Sequence, residues 1–279
     1  MTRFAVVGHV EWIEFALVSH VPVQGEIIDA RSGFHEAAGS AAVAAVQLAK
    51  LSGGVDFFTA LGDDERGRRS QERLRELGVT VHAAWRDTPT RWGFVHLDDD
   101  AERTITIVGD RLAPHGDDDL PWDRIEGADA VFVSGGDEGA MRHARRAKLL
   151  VATPRAAQTL HGIQVDALVG SGNDRLEQVD PLDPAPHLVV TTRGAEGGEW
   201  HGTEHREGTF KAATIEGDVV DAYGAGDTFA AGLTYALGAG YDTDAALQFA
   251  ARAGAANLTG RGPYEGQLKA PEALSSQDG

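Results

Sequence analysis

The chain has 279 residues, 43 Asp and Glu against 25 Lys and Arg, a formal net charge of −18, 35 glycines and no cysteine. The length allows a sizeable core, and the missing cysteine excludes a disulfide framework, a thiolate zinc site and an iron–sulfur cluster. The charge repels phosphate backbones and argues against a nucleic-acid partner, while a small phosphate ligand stays open because backbone N–H groups bind anions without basic side chains.

The first residues, Met1–Gly8, lack the apolar core and cleavage site of a secretory signal. No stretch approaches about 18 uninterrupted apolar residues, so a cytoplasmic protein with no membrane partner is expected. Phe4–Val7, ending at Gly8, reads as a buried strand. Residues 10–35 alternate loosely around Pro22 and Gly25 and read as exposed strands. Gly39–Leu51 is a small-residue helix after a glycine turn, and Val55–Thr59 a second buried strand. Asp64–Leu77 is a charged amphipathic helix closed by Gly78. Arg91–Leu97 and Thr104–Val108 flank Asp98–Asp100 as a hairpin. Asp110–Asp123 reads as a loop, and the tail after Lys269 as frayed. Ala130–Val133, Leu149–Ala152, Ala167–Val169 and Leu188–Thr191 are further short apolar runs. Buried runs alternating with helices predict a three-layer, doubly wound α/β domain spanning residues 1–279, with a mostly parallel sheet. The segments at about 10–35 and 79–107 break that alternation and are expected to form a small added β-sheet.

Near the C-terminus, Asp221-Ala-Tyr-Gly224-Ala225-Gly226-Asp227 opens a helical pattern that continues through Leu233 and Leu237. Unpaired N–H groups and the helix dipole at such a start make an anion cradle, and the glycines let a ligand approach. An Asp beside a bound phosphate would repel it unless its task is to take a proton from an attacking hydroxyl. The alternative is an ordinary capped helix.

The segment 219–232 resembles the D-T-x-G-A-G-D signature of the ribokinase-like (PfkB) carbohydrate kinases. Residues 38–51, Leu61–Gly67, Pro89-Thr90 with Asp99–Thr104, and Thr191–Gly198 resemble further motifs of that family in the same order, covering nearly the whole chain. The resemblance implies a ribokinase-like fold with a β lid. It also implies transfer of the γ-phosphoryl group of magnesium-bound ATP to a hydroxyl of a sugar, sugar-like or nucleoside substrate. By the same resemblance, the Gly224, Ala225 and Gly226 backbone stabilises the transferred group and Asp227 is the general base. Substrate would sit against Gly39, Ser40 and Val43, with Glu11 or Glu14 replacing the usual Asp. Thr192, Arg193, Gly194, Gly197 and Ala251 would face the nucleotide. The family's N-x-x-E, which organises magnesium through water, falls on Ser171 and Asp174, or on Asn173 and Glu177 in a shifted alignment. The resemblance also allows a lid-mediated homodimer. A monovalent cation is an optional addition in such proteins, and Ala222 stands where the family commonly has Thr near that site.

Val43 stands where sugar kinases usually place a substrate-binding Asn, Ala251 where the family often has Asn, and Ala38 replaces a glycine. An altered substrate explains this, and so does an impaired homologue acting as a nucleotide- or metabolite-binding regulator. His201 and His205 lie in a glycine-containing hairpin without the convergence a metal site requires. Asp98–Asp100 and Asp117–Asp119 read as solvated loops rather than calcium sites. Trp12, Trp85 and Trp92 are candidates for a substrate wall or a dimer contact.

Overall fold

Each short apolar run splits its side chains between two buried faces, because alternate residues of a strand point to opposite sides. The computed structural model describes residues 2–98, 103–177 and 180–270. In β1 (Phe4–Val7), Phe4 and Val6 enter one apolar cluster, while Ala5 and Val7 enter another. There follow β2 (Glu11–Leu17), β3 (Ser32–Ala38), α1 (Ser40–Ser52), β4 (Val55–Gly62), α2 (Glu65–Glu76) and β5 (Val79–Arg86). Next come β6 (Trp92–Leu97), β7 (Arg103–Val108), β8 (Ala130–Val133), α3 (Glu138–Ala144), β9 (Leu149–Ala152), β10 (Ala167–Ser171) and β11 (Leu188–Thr192). The chain continues through β12 (Gly198–Gly202), β13 (Glu207–Phe210), α4 (Ala225–Gly238) and α5 (Thr243–Asn257).

Nine strands form one sheet in the order β13-β12-β11-β10-β9-β8-β1-β4-β5. Pairing is parallel from β11 to β5, and only β12 and β13 run antiparallel at one edge. Val46 and Leu48 of α1, Phe229 and Leu233 of α4, and Phe249 of α5 belong to one buried cluster. Met141 of α3 joins Trp122, Ile125 and Leu160 in the cluster on the other face. This is the expected three-layer, doubly wound α/β fold. Among the described residues, no helix is long and apolar enough to cross a membrane.

A second sheet has the order β3-β2-β6-β7. Its β2–β3 and β6–β7 pairs are antiparallel, and β2–β6 is parallel. This lid corrects the sequence expectation for residues 79–107. Val79–Arg86 pairs in parallel with β4, from Val55 opposite Val79 to Gly62 opposite Arg86, and so belongs to the large sheet. Parallel neighbours need a crossover, and α2 supplies it. Residues 99–102, around the expected Asp98–Asp100 turn, and the tail from 271 lie outside the described residues.

Two weaker motifs prove to be joints. Asp64 caps α2 by accepting the Gly67 N–H at 2.8 Å, and it also accepts the Thr90 N–H at 2.7 Å and the Thr90 hydroxyl at 2.8 Å. Gly67 is required because a Cβ there would lie 2.1 Å from the Gly62 carbonyl oxygen. Leu61–Gly67 and Pro89-Thr90 thus fasten the entry of lid strand β6 to the large sheet.

Candidate active site

The chain leaves β1 toward β4 on one side and returns as β8 on the other. Such a switch of direction opens a crevice beyond the carboxyl ends of the two strands. His9 follows β1, Ser134 and Gly135 follow β8, and Thr153 follows β9. His9 Nδ1, Ser134 Oγ, Thr153 Oγ1 and, at the start of α1, Ser40 Oγ are buried without a hydrogen-bond partner. Leaving such an atom unpaired costs about 1–3 kcal/mol, so their gathering at one end of the sheet marks a place suited to a polar ligand.

Two helix starts point to the same place. Helices α2, α3 and α5 are capped by Asp64, Asp137 and Asp242, each accepting an N–H at 2.8 Å. Helices α1 and α4 instead begin on Gly39 (φ 90°) and Gly224 (φ 80°), with no side-chain cap. These two starts meet. A Cβ on Gly224 would lie 3.0 Å from Val43 Cγ1, and the Tyr223 hydroxyl meets the backbone of Gly39. Their free N–H groups and partial positive charges are therefore pooled where an anion can reach them.

Asp227 is the third residue of α4. Burial penalises its charge and raises its pKa to about 6; the Ser40 hydroxyl pulls the value back, Glu177 pushes it further up, and Arg103 and Arg155 draw it down. Ser40 faces the carboxylate without a well-aligned bond, which leaves its Oγ free for another partner. A carboxylate titrating near 6 is ionised at neutral pH yet basic enough to accept a proton. The preceding turn is rigid. Asp221 accepts the N–H groups of Tyr223 (2.8 Å) and Gly262 (2.9 Å), and Asn257 donates to the Tyr223 carbonyl at 2.8 Å and accepts from Thr228 at 3.0 Å.

The remaining candidates divide. Gly39 borders the crevice, and a Cβ there would come within 3.3 Å of Glu11 Cγ and 3.4 Å of the His9 ring. Glu11 and Glu14 sit three apart on β2 and so face opposite sides. Glu11 lies 2.7 Å from Arg91 and 3.6 Å from His9. Burial opposes its charge, but His9 and then Arg91 and Arg111 hold its pKa below the usual carboxylate range, while burial keeps His9 neutral. The Arg91 Nε is close to Glu11 but poorly aligned, so it too lacks a proper hydrogen bond. Glu14 points away, to Arg66 of α2 at 3.6 Å. Trp12 and Trp92 lie under Arg69 (4.8 Å) and Arg66 (4.6 Å), also on the α2 side. Val43 is fully buried beneath Gly224, so it packs the turn and offers substrate no surface.

After β10, Asp174 bonds Arg155 and caps the Leu176 N–H at 2.9 Å. Ser171 Oγ accepts the Asn173 N–H at 3.2 Å. Glu177 folds back to accept the Ser171 N–H at 2.7 Å and the Arg155 Nε at 3.2 Å, and its charge is felt at Asp227. Among these residues the one coupled to Asp227 is Glu177, from the shifted alignment. Thr192 pairs with Ser171 and so stands at the same carboxyl edge. In its loop, Arg193 donates its N–H to Gly197 at 2.8 Å and pairs with Glu199 at 2.8 Å, while Gly194 is exposed. Gly197 (φ 86°) has no room for a Cβ, which would lie 2.1 Å from the Phe210 carbonyl. Ala251 is packed in the core with 8% of its surface exposed.

Sequence reasoning missed His9, Arg91, Arg111, Ser134 and Arg155. Their one sequence signal is position, since His9, Ser134 and Arg155 each follow closely on a buried strand. A surface hollow lined by His201, Gly202 and Glu204 through Glu207 lies at the opposite, amino end of β11, where Gly202 pairs with Leu188. There His201 pairs with Glu207 at 3.4 Å.

A family profile described as pfkB family carbohydrate kinase matches residues 1–165 and 164–270. A 2-dehydro-3-deoxygalactonokinase from Haloferax volcanii is 26% identical, over 86% of this chain and 88% of that protein. An ATP-dependent ribose-1-phosphate kinase from Halopiger xanaduensis is 28% identical, over 98% of this chain and 96% of that protein. The structure of Arabidopsis thaliana ribokinase complexed with ribose and ATP matches with a TM-score of 0.77, at 22% identity and 98% coverage of both chains. The glycine-led helix start with its half-buried aspartate is thus one part of a match that runs along the whole fold, and the chain belongs to the pfkB family of carbohydrate kinases.

Proposed function

We propose that this protein is a cytoplasmic, ATP-dependent kinase that phosphorylates a hydroxyl of a small sugar-like acceptor, with Asp227 as general base. The observation that carries this reading is the meeting of two uncapped helix starts around a half-buried carboxylate whose pKa is raised to about 6. The relatives' names support it, since they describe kinases of a dehydro-deoxy sugar acid and of ribose 1-phosphate.

The acceptor lies in the β1–β8 crevice under the lid, with one hydroxyl at Asp227. As its oxygen attacks the γ-phosphorus, its proton passes to Asp227. The bond from that phosphorus to the bridging oxygen breaks, and ADP leaves. Negative charge on the transferred group meets the N–H groups at Gly224–Gly226, preorganised by Asp221 and Asn257. Glu177 and Asp174 carry the hard oxygen atoms that magnesium favours and would hold it, and the ion would supply neutralisation of phosphate charge. The loop from Thr192 to Gly197 borders the nucleotide. Arg103 of the lid donates to the Ala222 carbonyl at 2.9 Å and so couples lid closure to the catalytic turn.

A coupled ADP-release assay across neutral sugars, sugar acids, sugar phosphates and nucleosides tests this. Turnover that Asp227→Asn removes is expected. ATP-dependent thermal stabilisation with no ADP release from any acceptor would replace the kinase by a nucleotide-binding regulator.

A further inference from the structure

In a chain with 43 acidic and 25 basic side chains, many arginines are matched by a carboxylate. Arg73, Arg86, Arg124 and Arg145 all pair with Glu or Asp. Arg111 has no ion pair or hydrogen bond among the described residues, and its charged neighbours are Arg91, Arg155 and Glu11. Glu11 is already matched by Arg91 at 2.7 Å, and Arg155 already holds Asp174 and Glu177. Within this cluster Arg111 is therefore the surplus positive charge.

Its place in the fold is informative. Two residues on, Ala113 borders Gly135, where a Cβ would lie 3.9 Å from the Ala113 methyl and 3.8 Å from the unpartnered His9 Nδ1. The segment carrying Arg111 thus runs along the rim of the β1–β8 crevice. Part of the side chain reaches solvent and is accessible to a ligand. The rest is shielded, and burial, followed by the Arg91 charge, lowers its pKa from the ordinary arginine value.

Resting on the kinase reading above, we propose that the acceptor carries an anionic group, a carboxylate or a phosphate ester, which docks on Arg111 at the rim of the β1–β8 crevice. A guanidinium fork matches the paired oxygens of either group. The anion would offset the mutual repulsion of Arg91, Arg111 and Arg155. His9 Nδ1 and Ser134 Oγ remain to bind hydroxyls of the same molecule.

The test compares steady-state ADP release for matched neutral sugars, sugar acids and sugar phosphates in wild type, Arg111→Gln and Arg111→Lys. At least one anionic arm should exceed its neutral counterpart in kcat/KM by about tenfold or more, and which arm does so identifies the group. Arg111→Gln should reduce that preference by about 10- to 100-fold, through the acceptor KM, and Arg111→Lys should restore part of it. Equal use of neutral and anionic acceptors, or an equal loss on both with Arg111→Gln, would overturn the proposal. Calorimetric binding to Asp227→Asn separates it from the kinase reading. Anionic sugars that bind through Arg111 without turnover in wild type would sink the kinase reading alone. No binding of anionic sugars would sink this one.

Discussion

Asp64 and Asp227 both stand at the start of a helix close to glycines, yet their surroundings are opposite. Asp64 accepts three hydrogen bonds, from Gly67 and Thr90. Burial works against its charge, but the Gly67 and Thr90 donors outweigh it and hold the pKa below the usual carboxylate range. Among the described residues Asp227 has only the poorly aligned Ser40 hydroxyl, and burial raises its pKa to about 6. A carboxylate whose oxygens are all occupied is a joint, whereas one short of partners is free to accept a proton. The same contrast separates the capped helices α2, α3 and α5 from the uncapped α1 and α4.

The largest effect should come from Asp227→Asn, which keeps the shape and removes the proposed base. Turnover is expected to fall roughly 10²- to 10⁴-fold with an unchanged circular dichroism spectrum. Asp64→Ala should do the reverse, losing a cap and the lid joint for about 2–4 kcal/mol of stability, read from denaturant midpoints. Its turnover at low temperature should stay within a few-fold of wild type. Loss of turnover in folded Asp64→Ala would break the comparison.

The pH dependences should also diverge. Because the folded pKa of Asp227 is raised, its ionisation opposes folding: no penalty exists below its ordinary value, the penalty grows as pH rises from there to about 6, and it is complete above. Asp227→Asn should therefore be more stable than wild type by roughly 1–3 kcal/mol at pH 8 and equal to it near pH 4. Wild-type kcat/KM should rise with an acid limb near pH 6. For Asp64 the pKa is lowered, so its contribution is complete above the ordinary carboxylate value and fades as pH falls through the lowered one. A turnover profile flat from pH 5 to pH 8 would remove Asp227 from the role of base. The smallest effect belongs to Glu14→Gln, which breaks an exposed pair with Arg66. It should change stability by less than about 0.5 kcal/mol and leave the acceptor KM unmoved, unlike Glu11→Gln.

The large sheet was readable because buried strands and amphipathic helices leave local periodic patterns. Val79–Arg86 was misplaced because its alternation suits either sheet, and only its pairing with β4 decides between them. Glu11 and Glu14 looked interchangeable until β2 became a strand, whose two-residue period separates them. Val43 stands at a position where substrate contact was expected, and the structure turns it under Gly224.

By itself, then, the sequence marked the glycine turn with Asp227, because seven contiguous residues set an acidic side chain in a glycine-led helix start. The tertiary structure decided what surrounds that turn. Glu177 rather than Asp174 is felt at Asp227, and Arg111 is left over among matched charges. These groups come from strand ends far apart in the chain. Sheet order and burial bring them together, and burial sets the pKa of Asp227, which no local pattern records.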